Sequence, residues 1–161
     1  MRVAFILLGF LALQVRCSDD DCSTRVSQSR LDAVNQAKLE QDIAAIDAYL
    51  DGEGIIAVQD PTGVRYMITL EGSGAKPCLE SSITFKYTGM LLDGTVFDVN
   101  TIGLTYPLKS LILGWQIVLP QLKAGTKATL YIPSGYGYGT IALPGIPANS
   151  NLIFEIELVS V

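Results

Sequence analysis

The feature that most constrains the fold of this chain is a change in the spacing of its apolar residues. From Val64 onward they recur at every second position: Val64, Tyr66, Ile68 and Leu70 alternate with Arg65, Met67 and Thr69, and Ile83, Phe85 and Tyr87 with Thr84, Lys86 and Thr88. Successive side chains of an extended strand point to opposite faces, so this period predicts half-buried strands. The same reading places strands across 128–132 and 152–159, the latter with Phe154, Ile156 and Leu158 on one face. Asp93-Gly94, between apolar stretches ending at Leu92 and beginning at Val96, is a hairpin signal, because glycine supplies the positive φ that tight turns need.

Two stretches follow a helical period instead. Leu31, Val34, Ile43, Ile46 and Leu50 predict one amphipathic helix within 29–54, with Ser29 and Asp32 as a cap and Gly52 as a stop. That helix either packs on the main domain or acts as a spacer, or it is a dimerisation arm; the chain is otherwise read as a monomer. Between Leu108 and Leu119 a second helical pattern runs for about three turns and Pro120 ends it, since the residue before a proline disfavours helix. One helix inside many strands indicates α+β: an antiparallel sheet of five to six strands wrapped on a single helix.

The N-terminus has a targeting layout. Met1 and Arg2 precede an apolar run from Val3 to Val15, shorter than the roughly 20 residues of a spanning helix and typical of a signal peptide, here residues 1–16. Residues 17–28 are polar and acidic without apolar periodicity, which predicts a flexible tether, and 55–161 form the main domain. Cys17-Ser18-Asp19-Asp20-Asp21 resembles the start of a mature bacterial lipoprotein, in which the cysteine is acylated; cleavage to a free secreted form is the other reading. Cys22 and Cys78 then remain as an even pair, either bridged or as two thiols.

Composition narrows the chemistry. The chain has no histidine, which removes the usual general base near neutral pH and the commonest metal ligand, and with them Ser-His-Asp and Cys-His hydrolysis. A net charge of −5 argues against a nucleic-acid surface, which needs clustered Lys and Arg. What stands out is a concentration of aromatics beside Gly and Pro: Tyr87, Phe97, Tyr106, Trp115, Tyr136, Tyr138 and Phe154. In a small β domain such residues ordinarily form core.

Their order says more. Tyr87-Thr88-Gly89, Asp93-Gly94-Thr95-Val96-Phe97-Asp98, Gly114-Trp115, Ile132-Pro133-Ser134, Tyr138-Gly139, Ile146-Pro147-Ala148-Asn149 and Leu152-Ile153-Phe154-Glu155-Ile156-Glu157-Leu158 follow one another. This succession resembles the FKBP-type peptidyl-prolyl isomerases over roughly residues 64–161. The preceding segment resembles the leaders of envelope members of that family. It implies an exported protein of a bacterial cell envelope, lipid-anchored to a membrane if Cys17 is acylated and soluble in the periplasm or secreted otherwise.

The resemblance implies a half-barrel curled over a short helix near 108–113, with a hydrophobic proline pocket between them. Trp115 forms its floor, Tyr87, Phe97 and Phe154 its walls, and the helix contributes Leu111 and Ile112. Leu104 and Tyr106 extend the wall, Asp98 and Tyr138 are the polar members, and Ile146 closes over the substrate. No cofactor or metal is implied. The expected partners are proline-containing polypeptide segments and FKBP-directed macrocyclic inhibitors. The loop from Thr140 to Ser150 lacks the longer Gly-rich insert common in the family, which implies weak affinity and broad tolerance of the residue before proline. The competing reading is a proline-peptide-binding chaperone module without turnover.

Overall fold

A computed structural model describes residues 22–161. The expected signal segment, and Cys17 as its lipidation site, lie outside the described residues.

The alternating segments form β1 (Val58–Gln59), β2 (Arg65–Leu70), β3 (Ser82–Leu91), β4 (Val96–Pro107), β5 (Lys127–Ile132) and β6 (Leu152–Ser160). They pair antiparallel in the order β1-β2-β5-β6-β3-β4. At the β3–β4 turn Gly94 takes φ +83°, and Asp93 Oδ1 accepts the Thr95 N–H at 2.9 Å. The register brings Phe85 opposite Leu158, Tyr87 opposite Ile156 and Leu130 opposite Phe154. Ile83, Phe85, Leu130, Ile132, Phe154 and Leu158 are thereby gathered into the buried inner face.

The helical stretch that fills this face is shorter than its sequence pattern suggests. A 3-10 turn (Leu108–Ser110) precedes α3 (Leu113–Val118), and a second 3-10 turn (Leu119–Gln121) contains Pro120. Leu111 and Ile112 between them are extended, with ψ 170° and 152°. The side chain of Gln116 explains the interruption: its Nε2 donates to the carbonyls of Lys109 and Leu111. A side chain thus takes carbonyls that a continuous helix would have bonded through its backbone. Gly114 lets α3 approach β5, since a Cβ there would stand 2.5 Å from Ile132 Cγ2.

The expected single N-terminal helix is two, numbered in chain order as α1 (Gln28–Asp32) and α2 (Gln36–Glu53). Asn35 makes the break, because its side chain accepts the Lys38 N–H as the cap of α2. The helix ends at Gly54, at φ +66°, rather than at Gly52. Of the alternative roles for this helix, packing on the domain is the one seen within the chain. Ile46 and Leu50 cover Tyr131 and Ile153 on the outer face of the sheet. Asp47 accepts from Nε and Nη2 of buried Arg65, at 2.8 and 3.0 Å. Asp42, also buried, pairs with Lys38 and accepts from Ser134 N and Oγ, at 3.0 and 2.5 Å.

The described part of the expected tether is docked on the domain. Cys22 and Cys78 are joined in a disulfide, Ser23 O accepts the Leu79 N–H at 2.7 Å, and Val26 packs against the core. The polar composition of 22–28 anticipated solvent; the crosslink and one apolar residue prevail.

Candidate active site

The candidate site lies where the concave face of the sheet meets α3. β3 presents Phe85 and Tyr87, two residues apart and so on one face; β6 presents Phe154; β4, at the sheet edge, presents Phe97, Asp98, Leu104 and Tyr106. Ser110, Leu111, Ile112 and Trp115 form the opposite side and Tyr138 completes the ring around a cavity of about 340 Å³. A larger depression of about 510 Å³ lies on the other face, lined by Lys86, Thr88, Glu155 and Glu157 among others. Its charges answer one another, with Glu157 near Lys86 and Lys127 at 3.8 and 3.6 Å, so the apolar cavity is the stronger candidate.

Trp115 is 4% exposed and organises the walls. Phe85, Tyr87 and Phe154 meet it edge to face, with centroids at 4.8, 5.6 and 5.2 Å and planes at 86°, 79° and 87°. Phe97 meets Phe154 the same way, at 5.6 Å and 83°. Perpendicular rings attract through their quadrupoles, and planar walls at right angles leave a slot between them. Gly89 makes room for this cluster, because a Cβ there would stand 2.5 Å from the Phe97 ring and 3.0 Å from Phe154. The buried indole N–H of Trp115 has no acceptor among the described residues.

One edge of the slot is polar. Tyr87 Oη donates to Asp98 Oδ2 at 2.5 Å and the Val99 N–H donates to Oδ1 at 2.9 Å. Burial, then the hydrogen bond to Asp98 and that residue's charge, push the Tyr87 phenol above its ordinary range. Burial and the Asp98 charge also raise Tyr138. Both phenols therefore keep their protons near neutral pH, Tyr87 donating to Asp98 and Tyr138 able to donate to a ligand. Across the slot, the Ile112 N–H has no backbone acceptor among the described residues.

Asp98, Tyr138, Tyr87, Phe97, Leu104, Tyr106, Leu111, Ile112, Trp115 and Phe154 all lie around this cavity. Two placements differ from the sequence reading. Leu111 and Ile112 come from the extended link before α3 rather than from a helix. Ile146 is 5% exposed, packed into the core and absent from the lining; a side chain already buried has no surface left to close over a ligand. Phe85 and Ser110 line the cavity but were not anticipated. Phe85 shares the alternation of Tyr87, which is the signal that would have found it; Ser110 carries none.

The family described as FKBP-type peptidyl-prolyl cis-trans isomerase matches residues 74–159. The "Outer membrane protein MIP" of Legionella longbeachae is 36% identical over 132 residues, covering 77% of this chain and 56% of that protein. FkpA of Escherichia coli K12, an FKBP-type peptidyl-prolyl cis-trans isomerase, is 34% identical over 145 residues, covering 83% and 53%. The chain thus spans about half the length of these relatives. Among solved structures, FkpA from Escherichia coli superposes with a TM-score of 0.65 at 34% identity, covering 78% of this chain and 63% of that one. A peptidyl-prolyl cis-trans isomerase from Pseudomonas syringae pv. tomato gives 0.66 at 31%, covering 75% and 93%. With the sheet order, the aromatic slot and these matches in agreement, the chain belongs to the FKBP-type peptidyl-prolyl cis-trans isomerase family.

Proposed function

We propose that this protein accelerates cis/trans rotation of X-Pro bonds in exported polypeptides, and the observation that carries the reading is the aromatic slot with one polar edge. Amide resonance sets a rotational barrier of about 18–20 kcal/mol and places charge on the carbonyl oxygen. Trp115, Tyr87, Phe97 and Phe154 hold the proline ring in an apolar setting, which disfavours the charge-separated planar amide relative to the twisted one. The Ile112 N–H and the Tyr138 hydroxyl hold flanking carbonyls while Asp98 shapes the edge across which the amide oxygen turns. Both Asp98 oxygens already accept hydrogen bonds, which supports an orienting and electrostatic role over proton transfer. The rotation itself needs no cofactor or metal.

The leader sequence supports export to a cell envelope, with Cys17 as the proposed lipid attachment site, and the docked α2 supports a monomer. Among the described residues no helix is long and apolar enough to cross a membrane. FKBP-directed macrocycles are proposed as competitors at the mouth formed by Tyr106, which is 48% exposed. The short loop after Tyr138 supports broad tolerance of the residue before proline.

The test is NMR exchange in a short X-Pro peptide with and without the protein. Wild type is expected to speed exchange. Tyr138→Phe should slow the catalysed rate about tenfold and Asp98→Ala by more, each tenfold being about 1.4 kcal/mol of barrier. Peptide binding without faster exchange would establish the chaperone-module reading instead.

A further inference from the structure

Gln116 points to a role for the N-terminal segment in the pocket. It is 1% exposed, on the helix that carries Trp115, and its amide is fully engaged. Nε2 donates to Leu111 O at 2.6 Å and to Lys109 O at 3.1 Å, while Oε1 accepts from Arg30 Nη1 at 2.7 Å. The two carbonyls flank Ser110 and precede Ile112, the rim of the slot opposite β4. A guanidinium only donates, so Arg30 dictates which way the buried amide faces and keeps both amide hydrogens on the rim carbonyls. The ionised donor also makes this the strongest kind of bond the amide oxygen can accept.

Arg30 is itself held in place. It lies on α1, behind the Cys22–Cys78 disulfide and the Ser23–Leu79 backbone bond. Leu79 O in turn accepts the Lys109 N–H at 3.0 Å, so one stretch of backbone anchors both the N-terminal segment and the start of the rim.

We propose that Arg30 and Gln116 are positioning residues of the substrate pocket. Together they hold Leu111 and Ile112 extended, with the Ile112 N–H open to a substrate carbonyl, and the disulfide keeps Arg30 in reach. This rests on the isomerase reading for its substrate.

The experiment uses the full chain with Arg30→Met, Gln116→Met and the double variant. It follows KM and kcat for an X-Pro peptide, hydrogen exchange of the Ile112 amide, and the thermal midpoint. Each single variant should raise KM about five- to tenfold, the size expected for one charge-assisted or doubly donated contact, with kcat within about twofold. Ile112 exchange should speed up in parallel. The double variant should be no worse than Gln116→Met, because both act through one contact. Cys22→Ser with Cys78→Ser should shift KM the same way. Unchanged KM and unchanged Ile112 exchange in Arg30→Met, whose substitution lies at the surface, would overturn the proposal, as would additive effects in the double variant. If wild type fails to speed exchange, the isomerase reading falls, while peptide titration and the Ile112 amide still decide the positioning role.

Discussion

The two faces of the sheet are made by the same strands and finished in opposite ways. β5 sends Leu130 and Ile132 inward and Tyr131 outward; β6 sends Phe154 and Ile156 inward and Ile153 outward. Outside, Ile46 and Leu50 of α2 fill the space over Tyr131 and Ile153, and the polar groups alongside are paired, Arg65 with Asp47 and Asp42 with Ser134. Inside, five rings meet edge to face, a cavity stays between them and the Trp115 indole N–H lacks an acceptor among the described residues. Branched aliphatic chains on a helix interdigitate with a sheet until no void is left. Rigid perpendicular rings do not, so a slot persists on the face where aromatics dominate.

The contrast predicts that stability and ligand affinity separate by face. The largest effect should come from Ile46→Ala, which should cost about 4 kcal/mol of unfolding free energy as the fully buried side chain leaves a void. Urea denaturation measures it, and peptide KM should stay at the wild-type value; a KM shift would merge the two faces. Asp42→Ala should cost about 3 kcal/mol, because Ser134 Oγ and the α2 junction lose a buried acceptor. Phe97→Ala should do the reverse. Peptide affinity should fall about tenfold with the loss of one apolar wall, roughly 1.4 kcal/mol, while the denaturation midpoint moves little because this ring is only partly buried.

The smallest effect is expected from alkaline pH. Burial raises Tyr66, Tyr131 and Tyr136 as well as the pocket phenols Tyr87 and Tyr138. The folded state therefore holds these protons more tightly than the unfolded chain, whose reference value is 10.0. Their contribution is intact below that pH and is lost as the pH rises through the folded values. Thermal midpoints should accordingly be level to about pH 9 with respect to these groups and decline above about pH 10. Isomerisation should decline with them, since ionised Tyr138 stops donating and repels Asp98.

Much of this molecule can be read from residue spacing. The period-two runs predict β2, β3, β5 and β6, and Asp93-Gly94 predicts the turn into β4, because each is decided within a few residues. Where distant groups intervene, local reading fails. The polar segment from Cys22 is pinned by a cysteine 56 residues away, and the helical pattern from Leu108 is cut at Leu111 by a side chain only five residues on, Gln116, whose bond to a carbonyl the apolar period does not encode. Asn35 is a different case: a capping residue inside an apolar period, visible in the sequence but outvoted by the period. Ile146 sits on the loop where the family resemblance placed it, but its side chain turns into the core, an orientation that spacing does not specify.

The sequence by itself determined the alternating strands and the turn at Asp93-Gly94, and its ordered motifs carried the resemblance to the FKBP-type family. Backbone periodicity and turn geometry are properties of short segments. Only the tertiary structure decided that Tyr87 and Asp98 share a proton donor and acceptor across the strand pair, that Phe85 joins the wall, and that α2 closes the outer face. It also decided that Arg30 reaches Gln116. These depend on side chains far apart in sequence meeting in three dimensions, where a contact of a few ångströms carries the energy and the linear spacing carries none.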